Sequence, residues 1–188
     1  LFTVPAMASN TWYHVAITRN SSNLTTVFLN GTRSSTGAVT ISTNFSGATS
    51  AIGRIDPSNA GSWYGYLSNI RFTIGQALYT NIFTPSTTPL TAVANTSVLT
   101  CQSNRFIDNS SNNYSITVNG TPSVQRFSPF NPTVPYSTAT IGGSGYFDGT
   151  GDYLSVPAGS SCAFGTGDFT IEFWYYSNNS GVQQVVYD

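Results

Sequence analysis

Tyr13, Val15 and Ile17 alternate with His14, Ala16 and Thr18. A period of two predicts a β-strand with one face on a core and the other turned away. The polar run Asn20-Ser21-Ser22-Asn23 interrupts it, a second strand runs from Leu24 to Leu29, and the Asn30-Gly31 dipeptide closes that strand with a tight-turn signal. The pattern predicts an antiparallel hairpin. Further strands are expected at 38–41, 51–54 and 65–73, separated by Ser, Gly, Asn and Pro clusters. Residues 76–83 suggest a short helical or irregular excursion.

From Thr84 to Pro89 the composition turns to Pro, Ser and Thr, which predicts a joint between two packed units near residue 90. Beyond it, strands are expected at 97–102, 105–108, 114–118, 145–148, 153–156, 169–176 and 182–187. The proline-rich stretch from Pro122 to Pro135 should run extended over the surface. No segment sustains a period of 3.6, so the chain is expected to be all-β.

Composition narrows the class. Only 7% of residues are charged, against roughly 25% in an average soluble domain. Solubility must come from hydroxyls and amides, a style that suits secreted, cell-surface or virion β-proteins. Lysine is absent, the six arginines are scattered, and the net charge is -1. A basic footprint for nucleic acid is therefore missing. No apolar run approaches the ~20 residues of a membrane-spanning helix. Cys101 and Cys162 are too few for a disulfide scaffold and lack zinc-site spacing; two buried free thiols are favoured over one bridge. Asn-x-Ser/Thr sequons stand at Asn20, Asn23, Asn30, Asn44, Asn95, Asn109, Asn113, Asn119 and Asn178, as composition alone would supply many of them.

The string Trp12-Tyr13-His14-Val15-Ala16, then Phe28-Leu29-Asn30-Gly31, then Gly65-Tyr66-Leu67-Ser68-Asn69-Ile70-Arg71-Phe72 resembles the closing half of a laminin G-like domain, one of the concanavalin A-like jelly rolls. Val98-Leu99-Thr100-Cys101, Phe106-Ile107-Asp108-Asn109-Ser110-Ser111, Gly145-Tyr146-Phe147-Asp148-Gly149 and Phe169-Thr170-Ile171-Glu172-Phe173-Trp174 resemble the opening half. The resemblance implies an antiparallel jelly-roll β-sandwich seen as two half domains. Residues 1–90 would form the C-terminal half of one sandwich and 91–188 the N-terminal half of the next. The strands that normally join the Glu172-Phe173-Trp174 strand to the Trp12-Tyr13-His14 strand are absent. Each half is then expected to be completed by a neighbouring copy, in a tandem array, fibre or filament. The rival geometry is one circularly permuted sandwich in which the first segment packs on the second.

Candidate chemistry is sparse. His14 is the only histidine, which removes most Ser-His-Asp and multi-His metal schemes and favours a structural role beside the sheet. Asp168, Thr170 and Glu172 share a strand face and resemble part of the E-x-D-x-E strand of laminarinase-like glucanases, but the first Glu is missing, and retaining glycosidases need two carboxyls ~5 Å apart. No catalytic residue is assigned. Asp108, Asp148 and Asp152 offer oxygen ligands beside glycine and serine turns. Calcium is the single cofactor they suggest, and Asp supporting its own turn weighs more.

For carbohydrate, the candidates are Arg54, Asp56, Trp63, Tyr64 and Tyr66, because sugar recognition stacks a ring on an aromatic face while polar neighbours take the hydroxyls. The competing pattern turns Tyr64 and Tyr66 into the sandwich and leaves only Trp63 exposed. The chain is thus expected to be a non-enzymatic structural and adhesive protein, extracellular, on a cell surface or on a virion appendage such as a phage tail fibre. Its expected partners are copies of itself and a polysaccharide or glycan bound multivalently, with neither nucleic acid nor membrane insertion. A purely architectural fibre subunit and a glycoside hydrolase are the alternatives.

Overall fold

A computed structural model describes residues 2–46, 50–54, 61–130, 137–157, 159, 162–179 and 181–188. The strands are β1 (Trp12–Arg19), β2 (Leu24–Leu29), β3 (Thr32–Arg33), β4 (Val39–Thr40), β5 (Ser50–Ile52), β6 (Tyr64–Ile74), β7 (Thr96–Thr100), β8 (Thr117–Asn119), β9 (Ser123–Gln125), β10 (Ser144–Asp148), β11 (Tyr153–Val156) and β12 (Phe169–Ser177). The fold is an all-β, antiparallel jelly-roll sandwich of two sheets.

The larger sheet runs β3-β2-β1-β12-β6-β10-β9, with β4 added to β2 and β7 added to β6; the smaller runs β5-β11-β8. Residues 185–188 extend the small sheet beyond β5, through Gly53 N to Val186 O and paired bonds between Ala51 and Asp188. Along β12, Phe169, Ile171, Phe173 and Tyr175 face the small sheet and join Ile52, Leu67, Phe72, Phe147 and Leu154 in the core. Thr170, Glu172, Trp174 and Tyr176 therefore point the other way, onto an outer face.

The first hairpin follows the sequence pattern. Asn30 and Gly31 both take positive φ, 49° and 77°, as a two-residue turn between β2 and β3 requires. Gly31 has a second reason to be glycine, because a Cβ there would overlap the Phe83 carbonyl oxygen. That contact belongs to residues 75–95, which form neither a helix nor a strand. They run as a strap over the outer face: Leu78 N donates to Thr170 Oγ1 (2.8 Å), Thr18 Oγ1 donates to Tyr79 O (2.9 Å), and Phe83 N donates to Gly31 O (3.1 Å).

The strap runs through the position of the expected joint near residue 90 and is packed there. Leu90 is buried, and its N–H donates to Asn69 Oδ1 (2.7 Å). Strand β12 lies between β1 and β6, with Trp12 opposite Tyr176, Val15 opposite Phe173 and Arg19 opposite Phe169. Within the chain the two segments thus close on one another in the permuted geometry, because β1 and β6 each offer β12 a free edge. Residues 105–108, expected as a strand, are irregular, whereas Ser123–Gln125 in the proline-rich stretch pairs with β10. Cys101 and Cys162 are separate buried thiols, and burial pushes Cys101 up to about 12.

Candidate functional site

Register decides the most distinctive surface. Trp12 on β1 stands opposite Tyr176 on β12, Tyr176 opposite Tyr66 on β6, and Tyr66 opposite Tyr146 on β10. All four point to the outer face and form one aromatic row across four strands. Ring centroids lie 5.5, 5.7 and 5.0 Å apart along it. Such cross-strand pairs contribute about 0.5–1.5 kcal/mol each beyond burial. Phe127 closes against the row from its own loop, 4.8 Å from Tyr66 and 4.9 Å from Tyr176. The rings are tilted by 51–81° to one another along the row, so they offer faces and edges in turn and not a flat table.

Tyr64, two residues before Tyr66, is 37% exposed and stands opposite Asp148 at the open end. Desolvation and the nearby Tyr64 and Tyr66 raise the Tyr146 hydroxyl above its ordinary range, keeping it a proton donor at neutral pH. The open end therefore combines ring surface, two phenols and one carboxylate.

The expected carbohydrate residues divide. Tyr64 and Tyr66 are on this face. Trp63 is turned inward, 5% exposed and edge-on to Tyr175 at 5.5 Å. The competing pattern is thereby reversed: β6 starts at Tyr64, and alternation sends 63, 65 and 67 to the core while 64 and 66 face out. Gly65 makes the row close-packed, since its φ of 140° and missing Cβ let β6 approach the Tyr176 carbonyl. Arg54 is buried with its guanidinium carbon 3.4 Å from the Tyr153 ring centroid, and Asp56 lies outside the described residues. Trp12, Tyr146, Tyr176 and Phe127 were not singled out from the sequence. Each is an ordinary aromatic in its own segment, and only strand order brings them together.

The three aspartates support turns. Asp108 is buried, with Oδ1 accepting from Leu99 N and Ser110 N and Oδ2 from Ser110 Oγ and Tyr114 N, at 2.8–2.9 Å. Asp152 accepts from Thr121 N and Asp148 N, and Asp148 from Thr150 N. Among the described residues no group of three or more His, Cys, Asp or Glu is placed to hold a metal ion.

Under the strap the outer face carries a buried polar cluster. Glu172 Oε1 accepts from Arg71 Nε (2.7 Å) and Nη2, and Oε2 accepts from the Tyr79 hydroxyl (2.8 Å) and His14 Nε2 (3.3 Å). Arg71 Nη1 donates on to Thr91 O of the strap (2.7 Å). Burial alone would raise the Glu172 carboxyl; the His14 hydrogen bond, the Arg71 and His14 charges and the Tyr79 hydroxyl outweigh it and hold the carboxyl below its ordinary range. Burial, with Glu172 beside it, pushes the Tyr79 hydroxyl up. A β-bulge sets this pairing. Between Trp174–Ser68 and Glu172–Arg71 strand β6 carries one extra residue, with Asn69 at φ 53°.

Residues 2–78, which build β1 through β6, match the family model of laminin G-like domains described as the concanavalin A-like lectin/glucanases superfamily. No curated protein and no solved structure matches the chain. The name of that superfamily covers both lectins, which bind carbohydrate, and glucanases, which cleave it. Among the described residues no helix is long and apolar enough to cross a membrane.

Proposed function

We propose that the protein is a non-enzymatic adhesive module of an extracellular fibre, cell surface or virion appendage, and that it binds glycan through the open end of the aromatic row. The observation that carries this reading is the registered set Trp12, Tyr176, Tyr66 and Tyr146, with Tyr64 exposed beside it. Sugar rings stack on such faces while Asp148 and the phenols take hydroxyls. Individual contacts of this kind are weak, and adhesion follows from many copies acting together. The non-enzymatic reading is supported by Glu172, whose two oxygens are occupied by four donors at 0% exposure, so that this carboxylate is not free for glycoside hydrolysis.

Copies of the same chain are the second partner. The inner face of β1, β2 and β12 is only partly covered, and Val15, Ile17, Val27, Ile171 and Phe173 line two open cavities of about 450 and 520 Å³. That apolar surface favours a fibre in which neighbours cover one another. A glycan array with the wild type and Tyr64→Ala tests the main reading: binding that falls tenfold or more in the variant supports it. An array on which the wild type binds nothing leaves the architectural reading in its place.

A further inference from the structure

We infer that a second site, separate from the aromatic row, takes a carboxylate-bearing saccharide in the groove between the strap and the turn that follows β7. The groove has a volume of about 460 Å³ and is lined by Pro89 and Thr91 of the strap, Gln102 to Arg105 and Ile107 of the turn, and Thr138 of a neighbouring loop. It shares no residue with the row.

Its charge is the first argument. In a chain with no lysine and six arginines, four of the guanidinium groups are already engaged. Arg19 donates to the carbonyls of Thr43, Gly165 and Gly167, Arg33 to Thr80 O, Arg71 to Glu172, and Arg54 lies on Tyr153. Arg126 also has a partner. Arg105 is exposed, and its guanidinium makes no hydrogen bond, ion pair or ring contact among the described residues. Asp108, the nearest carboxylate in the chain, has both oxygens taken by backbone and hydroxyl donors. A planar fork of N–H donors with no internal acceptor is suited to a ligand carboxylate.

The second argument is the unspent hydrogen bonding around it. Gln102 donates Nε2 to Leu90 O (2.8 Å), while its Oε1 is buried with no donor. An unpaired buried acceptor costs about 1–3 kcal/mol, and a hydroxyl delivered from the groove would satisfy it. The Asn104 amide and the Thr138 hydroxyl make no hydrogen bond of their own among the described residues and are exposed. Ile107, 40% exposed, supplies apolar surface for a ring face. A cation, amides, hydroxyls and a small apolar patch together fit a uronic-acid type of sugar better than a neutral one.

The test is calorimetric titration of the full chain with oligogalacturonate, with the same oligomer after carboxyl reduction, and with sodium acetate as competitor. The wild type should bind oligogalacturonate, lose about tenfold or more on carboxyl reduction, and weaken as salt rises. Arg105→Gln, an exposed change, should lose the same tenfold, and Asn104→Ala a smaller part. Tyr64→Ala should leave this binding unchanged, so failure here is distinguishable from failure of the aromatic row. Equal binding by Arg105→Gln overturns the inference, as does equal affinity for the reduced oligomer. Acetate competing as well per carboxylate would overturn the saccharide assignment.

Discussion

The two ends of the same outer sheet face solve opposite problems. At one end, Trp12, Tyr176, Tyr66 and Tyr146 line up with Phe127 as their main cover, and Tyr64 and Asp148 remain open to solvent. A few residues along the same strands, His14, Glu172 and Arg71 are sealed beneath the strap with nearly all their hydrogen bonds made internally. Aromatic rings tolerate partial exposure at modest cost, whereas a buried carboxylate and guanidinium do not tolerate loss of a partner. The sealed end is built for holding the fold, and the open end has capacity left for a ligand.

The largest effect should come from the sealed end. Glu172→Ala leaves Arg71 buried without its partner and should cost about 3–5 kcal/mol, which for a chain of this size is roughly 6–20 °C in melting temperature. Calorimetry reads it directly, and a shift under 2 °C would mean that the cluster contributes nothing net. Next comes Gly31→Ala, which forces a side chain into a left-handed turn and against Phe83 O. A loss of roughly 1–3 kcal/mol is expected, with faster amide exchange in the strap as a specific readout.

The pH dependence sharpens the same contrast. Glu172 is held below its ordinary range, so its contribution is complete above the unfolded carboxylate range, near 4.5, and is lost as pH falls from there through the folded value. Acid titration of stability should therefore be flatter below pH 4.5 in Glu172→Gln than in the wild type. The smallest stability effect should be at the open end: Tyr64→Ala, exposed, should change stability by under about 0.5 kcal/mol while the proposed glycan binding falls. A large destabilisation there would make the row a structural cluster.

The sequence carried the alternating strands and the Asn30-Gly31 turn because both are local properties of a few consecutive residues. It also carried the outward placement of Tyr64 and Tyr66 as one of two phases, and the phase was fixed only by where β6 begins. The row itself could not be read, since it depends on β12 inserting between β1 and β6. Residues 84–89 suggest a joint because Pro, Ser and Thr look alike in a linker and in an irregular segment packed on a sheet. What distinguishes them is Phe83 packed edge-on against His14 and Phe28, and the buried Leu90 bonded through its N–H to Asn69, contacts made with distant strands. Arg105 was noted among scattered arginines; its isolation becomes visible only when the others are seen to be engaged.

The position of β12 also has a consequence for how the chain reaches this state. Both β1 and β6 precede it by a long stretch of polypeptide, so during synthesis they emerge with the edges that will receive it still bare. Pairings of this range close slowly, and bare edges recruit strands from other chains. Crowded nascent chains are therefore poised between filling that slot from within and filling it from a neighbour. Ribosome spacing and the rate of elongation would then bear on whether single molecules or linked assemblies accumulate.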